Sequence, residues 1–127
     1  MIKYILLPFS QREAIHKTIQ DNLNSSRIFL YFYGSIDEST GVSWCSDSVK
    51  ADPILRTAFS KVNSVVIELP SGTRSEWKGV SNHFYKIDKK IKLTALPTVI
   101  EVNGDGEIKR LVEGDCYNQE MVDGFIG

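Results

Sequence analysis

Apolar side chains along the chain fall into two kinds of run, and their spacing predicts the elements. Tyr4 to Leu7 reads as a short strand. Ser10 and Glu13 stand at the offset of a capping box, where each side chain satisfies an unpaired backbone donor, and they open a helix over 11–23. Its apolar residues Ala14, Ile15, Ile19 and Leu23 recur at helical spacing and share one face. Ile28 to Tyr33 is different: an unbroken apolar and aromatic run, the pattern of a central strand covered on both sides.

After a polar loop from Gly34 to Ser43, a helix is predicted from Cys45 to Phe59, kinked where the Pro53 ring removes a donor and crowds the preceding turn. Val62 to Leu69 is the next strand, followed by a loop and a helix with Asn82 as N-cap. Pro97–Val102 and Glu107–Val112 read as strands joined by the hairpin signal Asn103-Gly104-Asp105-Gly106, and a last helix covers Asn118 to Phe125. Strands alternating with helices early and a hairpin late imply an α/β domain with a mixed sheet.

The 127 residues carry 15 basic and 16 acidic side chains, a net charge of −1, and 42% are hydrophobic. That composition fits one globular domain over 1–127, large enough to hold a core without staples. Interspersed charge of both signs provides no field for phosphate backbones or anionic lipid, which argues against nucleic-acid binding. No apolar run approaches the ~20 residues needed to span a bilayer. The stretch Ile2–Phe9 is short, broken by Pro8, and lacks a signal-peptide cleavage pattern. Asn24-Ser25-Ser26 matches a glycosylation acceptor, a pattern with meaning only in the secretory pathway. Two cysteines, at 45 and 116, make neither a disulfide framework nor a zinc pattern, and His16 and His83 have no partner at ligand spacing, so the expectation is a cytoplasmic protein without a metal.

The chemistry concentrates at Trp44-Cys45-Ser46-Asp47-Ser48, just after the buried strand. A cysteine in the first turn of a helix meets unpaired amides and the positive dipole end, which favour thiolate over thiol and make the sulfur a nucleophile. The alternative is a small apolar residue at a helix start. Sites in open α/β sheets lie beyond the carboxyl ends of the strands, where this junction falls, and that favours the nucleophile. Trp44 either covers the site or belongs to the core. Asp47 suits a first-turn position, while a carboxylate there also opposes a second negative charge.

Trp44-Cys45-x-x-Ser48 after an apolar strand, with Leu96-Pro97-Thr98 before the hairpin, resembles a thioredoxin-like fold: a three-layer α/β domain with helices on both faces of a mixed sheet. Tyr33-Gly34-Ser35, Asp37, Gly41, Ser43, Val49, Ala51, Pro53, Trp77-Lys78, Asn82, Phe84, Lys86, Glu113 and Cys116 narrow the resemblance to the family of 14 kDa thioredoxin-related proteins, oxidoreductases of the cytosol, over essentially the whole chain. The family pattern is Trp-Cys-Pro-Asp-Cys; here Ser46 replaces the proline and Ser48 the second, resolving cysteine. An alcohol does not resolve a mixed disulfide, so the dithiol cycle does not carry over.

The resemblance therefore implies a monothiol oxidoreductase acting on disulfide-containing proteins or peptides through Cys45, with glutathione or a thioredoxin reductase system as reductant. Cys116 is a possible second thiol if its Cα comes within ~7 Å. The Ser48 hydroxyl either bonds the thiolate or is an ordinary helix serine. Leu96 and Pro97 resemble the cis-proline loop that faces the active cysteine, where an extended substrate pairs with the backbone and where proline excludes a metal, implying no cofactor. Gly114 either admits substrate closely or ends a strand. Thioredoxins carry a buried acid in the central strand; here there is none, so either solvent moves the proton or Asp37 in the loop contributes. A reading from another class stays open: a catalytically silent binding module presenting Trp44, Leu96 and Pro97. Trp77, Phe84 and Tyr85 read as packing, and Lys86, Lys89, Lys90 and Lys92 as a solvated face.

Overall fold

The computed structural model describes residues 1–24 and 27–127; the glycosylation acceptor pattern reaches into Ser25 and Ser26 and so lies outside the described residues. Five strands, β1 (Ile2–Leu6), β2 (Ile28–Tyr33), β3 (Ser64–Pro70), β4 (Thr98–Asn103) and β5 (Gly106–Val112), form one sheet in the order β1-β3-β2-β4-β5. β3 runs parallel to β1 and β2, whereas β4 pairs antiparallel with both β2 and β5. The central place predicted for Ile28–Tyr33 is the one it occupies, with every residue buried.

A two-residue side-chain period then divides β2 between two cores. Ile28, Leu30 and Phe32 face α1 (Ile15–Asp21), α3 (Arg74–Trp77) and α4 (Phe84–Ile87), while Phe29, Tyr31 and Tyr33 face α2 (Ser46–Phe59) and α5 (Gln119–Ile126). Each fully buried aromatic ring of β2 contributes about 2–3 kcal/mol of apolar transfer. The architecture is thioredoxin-like: a mixed five-stranded sheet with helices on both faces.

Local details differ from the sequence expectation. Ser10 and Glu13 form no capping box; Phe9–Ala14 is a 3₁₀ helix entered from Pro8 and bent at Gln11. The capping box of the chain is instead Thr73 with Glu76, at the head of α3. Pro53 lies inside an unbroken α2; the carbonyl it leaves unpaired belongs to exposed Val49, where water can reach it. The N-cap of α4 is His83, not Asn82: its Nδ1 accepts the Tyr85 amide at 3.1 Å while Nε2 donates to the Ser71 carbonyl at 2.8 Å. His16, unpartnered in the sequence reading, bonds Asp88 at 2.7 Å. Lys86 is not simply solvated, since its ammonium lies 4.1 Å from the centre of the Trp77 ring.

One ion pair ties the far end of the sheet. Arg27 grips buried Glu101 through Nε at 2.9 Å and Nη2 at 2.8 Å, and Nη1 donates to the Ile126 carbonyl at 2.7 Å. Breaking a buried pair strands a charge. Lys109 stays 3.9 Å from Glu101 and offsets part of that charge, so Arg27→Ala is expected to lower unfolding free energy by about 1–3 kcal/mol in urea titrations.

Burial, above all, lowers the proton affinity of His83 in the folded protein. The unfolded chain then binds more protons below its ordinary value of about 6.5. The stability that neutral His83 supports is present above that value and is lost as pH falls through the lower folded value. The expected outcome is a melting temperature that drops between pH 7.5 and 5.5, with a smaller drop in His83→Gln, checked by calorimetry on both proteins.

Candidate functional site

The site forms where β2 ends and α2 begins. Cys45 is the N-cap of α2, extended at φ −91° and ψ 110°, so its amide and sulfur sit just ahead of the first helical turn. Gly34, the first residue after β2, holds this turn with both backbone polar groups. Its N–H donates to the Ser48 hydroxyl at 3.2 Å, and its carbonyl accepts from the Ser43 hydroxyl at 2.6 Å. The same Ser43 oxygen accepts the Cys45 N–H at 3.1 Å. A Cβ at position 34 would stand 2.8 Å from the Cys45 Cβ, 2.9 Å from the Ser43 hydroxyl and 2.9 Å from the Trp44 ring, so only glycine permits the approach.

A second clamp comes from the loop after β3. Gly72 accepts from the Ser35 amide at 3.0 Å and from the Trp44 indole at 2.8 Å, and its own N–H donates to the Ser35 hydroxyl at 2.9 Å. Gly72 takes φ +98°, open to glycine at little cost. Trp44 is half-buried against the core on the α1 face, so it serves both as packing and as a wall of the site.

The Cys45 sulfur is half-exposed and free, 3.8 Å from the Leu96 carbonyl. It opens into a groove shared with Asp47, Arg74, Lys78, Leu96 and Glu113. The Leu96–Pro97 peptide is cis. Leu96 and Pro97 are both buried, so Leu96 meets the groove through its backbone rather than as an exposed apolar surface, and Pro97 does not line it. Among the described residues the Leu96 N–H has no acceptor.

Several predicted participants are elsewhere. Ser48 is buried, its oxygen taken by Gly34, and it lines a pocket behind α2 with Tyr31, Tyr33, Asp52 and Arg56 rather than the Cys45 groove. Cys116 is fully buried in the core on the α2 face, against the Pro97 carbonyl at 3.6 Å and the Leu111 carbonyl at 3.5 Å. Burial, with Asp115 adding repulsion, pushes its thiol up to about 12. Both cysteines are free, and Cys116 is shielded from any disulfide arriving in the groove. Asp37 accepts the Ser39 amide and hydroxyl within its own loop, which lowers its proton affinity, and it does not line the Cys45 groove.

Gly114, expected to admit substrate, has open space around it: a Cβ there would meet only the Tyr117 hydroxyl, at 3.8 Å. The left-handed residue is its neighbour Glu113, at φ 51°, whose amide donates to the Pro97 carbonyl at 2.7 Å. Asp47 accepts from the Tyr117 hydroxyl at 3.4 Å, and the negative charge of Asp47 raises the Tyr117 phenol above its ordinary range.

Carboxylates do reach the β2 tyrosines on that face, outside the Cys45 groove. Tyr31 donates to Asp52 at 2.8 Å, and Arg56 holds both Asp52 and Glu68. Gly34, Ser43, Lys78 and Glu113 carry the family likeness in sequence, but their placing at the site is visible only in three dimensions. Arg74 and Tyr117 gave no sequence signal.

A family model described as thioredoxin domain-containing protein 17-like, thioredoxin domain, matches residues 9–127. Thioredoxin domain-containing protein 17 of Homo sapiens is 33% identical over 125 residues, covering 97% of this chain and 95% of the human one. The Danio rerio protein of the same name is 35% identical over 124 residues, covering 96% and 94%. Schistosoma mansoni thioredoxin superposes with a TM-score of 0.63 at 14% identity, over 98% of this chain and 93% of that one, a likeness of fold. With the cysteine-bearing turn at the head of α2 set in a thioredoxin-like sheet, and relatives matching nearly end to end, the chain belongs to the thioredoxin domain-containing protein 17-like family of thioredoxin-family redox proteins.

Proposed function

We propose that the chain is a cytoplasmic thiol-disulfide oxidoreductase that reduces disulfide-containing proteins or peptides through one sulfur, Cys45. The observation that carries this reading is the half-exposed Cys45 thiol at the N-cap of α2, beside a free Leu96 amide, in a groove that contains no other sulfur among the described residues. An extended substrate segment would pair with the Leu96 backbone and bring its disulfide over Cys45.

The thiolate of Cys45 attacks one substrate sulfur. A Cys45–substrate disulfide forms, the original S–S bond breaks, and its electron pair leaves on the second sulfur, which takes a proton from solvent. Ser48 and Cys116 do not complete the cycle in this reading, the one an alcohol and the other buried with a high proton affinity. A second thiolate from solution, such as glutathione, attacks the mixed disulfide instead. Its attack on the Cys45 sulfur releases the substrate thiolate, which takes a proton, and leaves a Cys45–glutathione disulfide; a second glutathione thiolate then attacks the glutathione sulfur, giving glutathione disulfide and the Cys45 thiolate.

Alkylation at pH 8 should label one cysteine in the native protein and two in denaturant. Glutathione-dependent reduction of hydroxyethyl disulfide should vanish in Cys45→Ala. Normal native labelling of Cys45 without Cys45-dependent turnover would replace this reading with the binding module. Because a Cβ at position 34 would drive into the Cys45 turn, Gly34→Ala is expected to cost about 1–3 kcal/mol of stability and to lower turnover about tenfold by misplacing the sulfur. Denaturant melts and the same assay check both effects.

A further inference from the structure

The walls of the Cys45 groove differ in sign. On one side Arg74 and Lys78 stand four positions apart at the two ends of α3, both exposed. On the other stand Asp47 and Glu113. The chain has five arginines, and four spend their guanidinium groups within the protein: Arg12 on the Phe9 carbonyl, Arg27 on Glu101, Arg56 on Asp52 and Glu68, and Arg110 on Glu107. Arg74 alone donates to no protein acceptor among the described residues. Its guanidinium carbon instead lies 5.7 Å from the Trp44 ring, beside the reactive cysteine.

Lys78 is likewise in no ion pair among the described residues, although it lines the same groove. The acidic wall is partly compensated, since Asp47 receives the Tyr117 hydroxyl and the Lys50 ammonium sits 5.5 Å from the centre of the Tyr117 ring. The Arg74 guanidinium borders the Trp44 ring, 5.7 Å from its centre, and keeps its donors, a planar fork suited to a carboxylate.

We propose that Arg74 and Lys78 form a carboxylate-recognising wall, so that the groove selects disulfides bearing an acidic group beside the reacting sulfur. The acidic wall opposite rejects that group and so fixes which way the substrate lies. The inference rests on Cys45 being the nucleophile, and the chemistry is the same exchange: Cys45 bonds to one sulfur of the probe, and the other leaves as thiolate. The basic pair changes only the local concentration and orientation of a negatively charged reactant.

The test measures second-order rates of mixed-disulfide formation at Cys45 with three probes: dianionic dithiodipropionate, neutral hydroxyethyl disulfide and dicationic cystamine. At low salt the anionic probe should outrun the neutral one, and Arg74→Gln with Lys78→Gln should cut that anion-to-neutral ratio about fivefold, the scale of two exposed charge pairs. Raising salt should erode the same ratio in the unaltered protein. Arg74→Glu with Lys78→Glu should shift the preference toward cystamine, and Lys78→Gln alone, which leaves Arg74 beside Trp44, should give part of the loss. An anion-to-neutral ratio unmoved by all three variants overturns the proposal. Failure of every probe to react at Cys45 overturns instead the redox reading beneath it.

Discussion

The position of the Cys45 sulfur depends on the missing side chain of Gly34. Two segments, the end of β2 and the turn entering α2, lie so close that no Cβ fits between them. The contact is held by a short relay in which the Gly34 carbonyl takes the Ser43 hydroxyl and Ser43 takes the Cys45 amide. The buried, rigid strand thereby transmits its position to the helix N-cap. A site built on such an element needs little further ordering when a substrate arrives.

The second clamp, through Gly72, links that turn to α3 and so brings charge into the site. Trp44 is its joint: the indole N–H is tied to the Gly72 carbonyl, one edge packs on the core, and the face meets Arg74. Groove polarity and sulfur placement are consequently features of one assembly. His83 supports it from beneath by holding the Ser71 carbonyl, which precedes Gly72.

Ser48 stands three positions after Cys45, and its hydroxyl takes part in structure. It accepts the Gly34 amide, so the position contributes to the placing of Cys45 even without a thiol. Cys116 packs on the other face of the sheet, where desolvation suppresses ionisation, whereas Cys45 meets solvent. The two thiols thus differ in access: Cys116 is sealed in the core, and Cys45 borders the groove.

Period and punctuation in the sequence determined the order of the strands, the central strand, the hairpin at Asn103–Gly106 and the helix opening at Cys45, because these depend on neighbours a few residues away, but not α3, which lies in what reads as loop. Misplaced caps had the same local origin: Ser10 with Glu13 and Asn82 have the right residue types, but Pro8 and the stacked His83 ring decided the geometry. Gly114 drew attention as a glycine just past the last strand, yet the left-handed residue there is Glu113, whose amide donates to the Pro97 carbonyl. Only the tertiary structure separated the fates of the two thiols, set Arg74 over Trp44 and brought Asp52 and Glu68 onto one guanidinium. Burial and approach between distant segments are properties of packing, and one-dimensional spacing does not encode them.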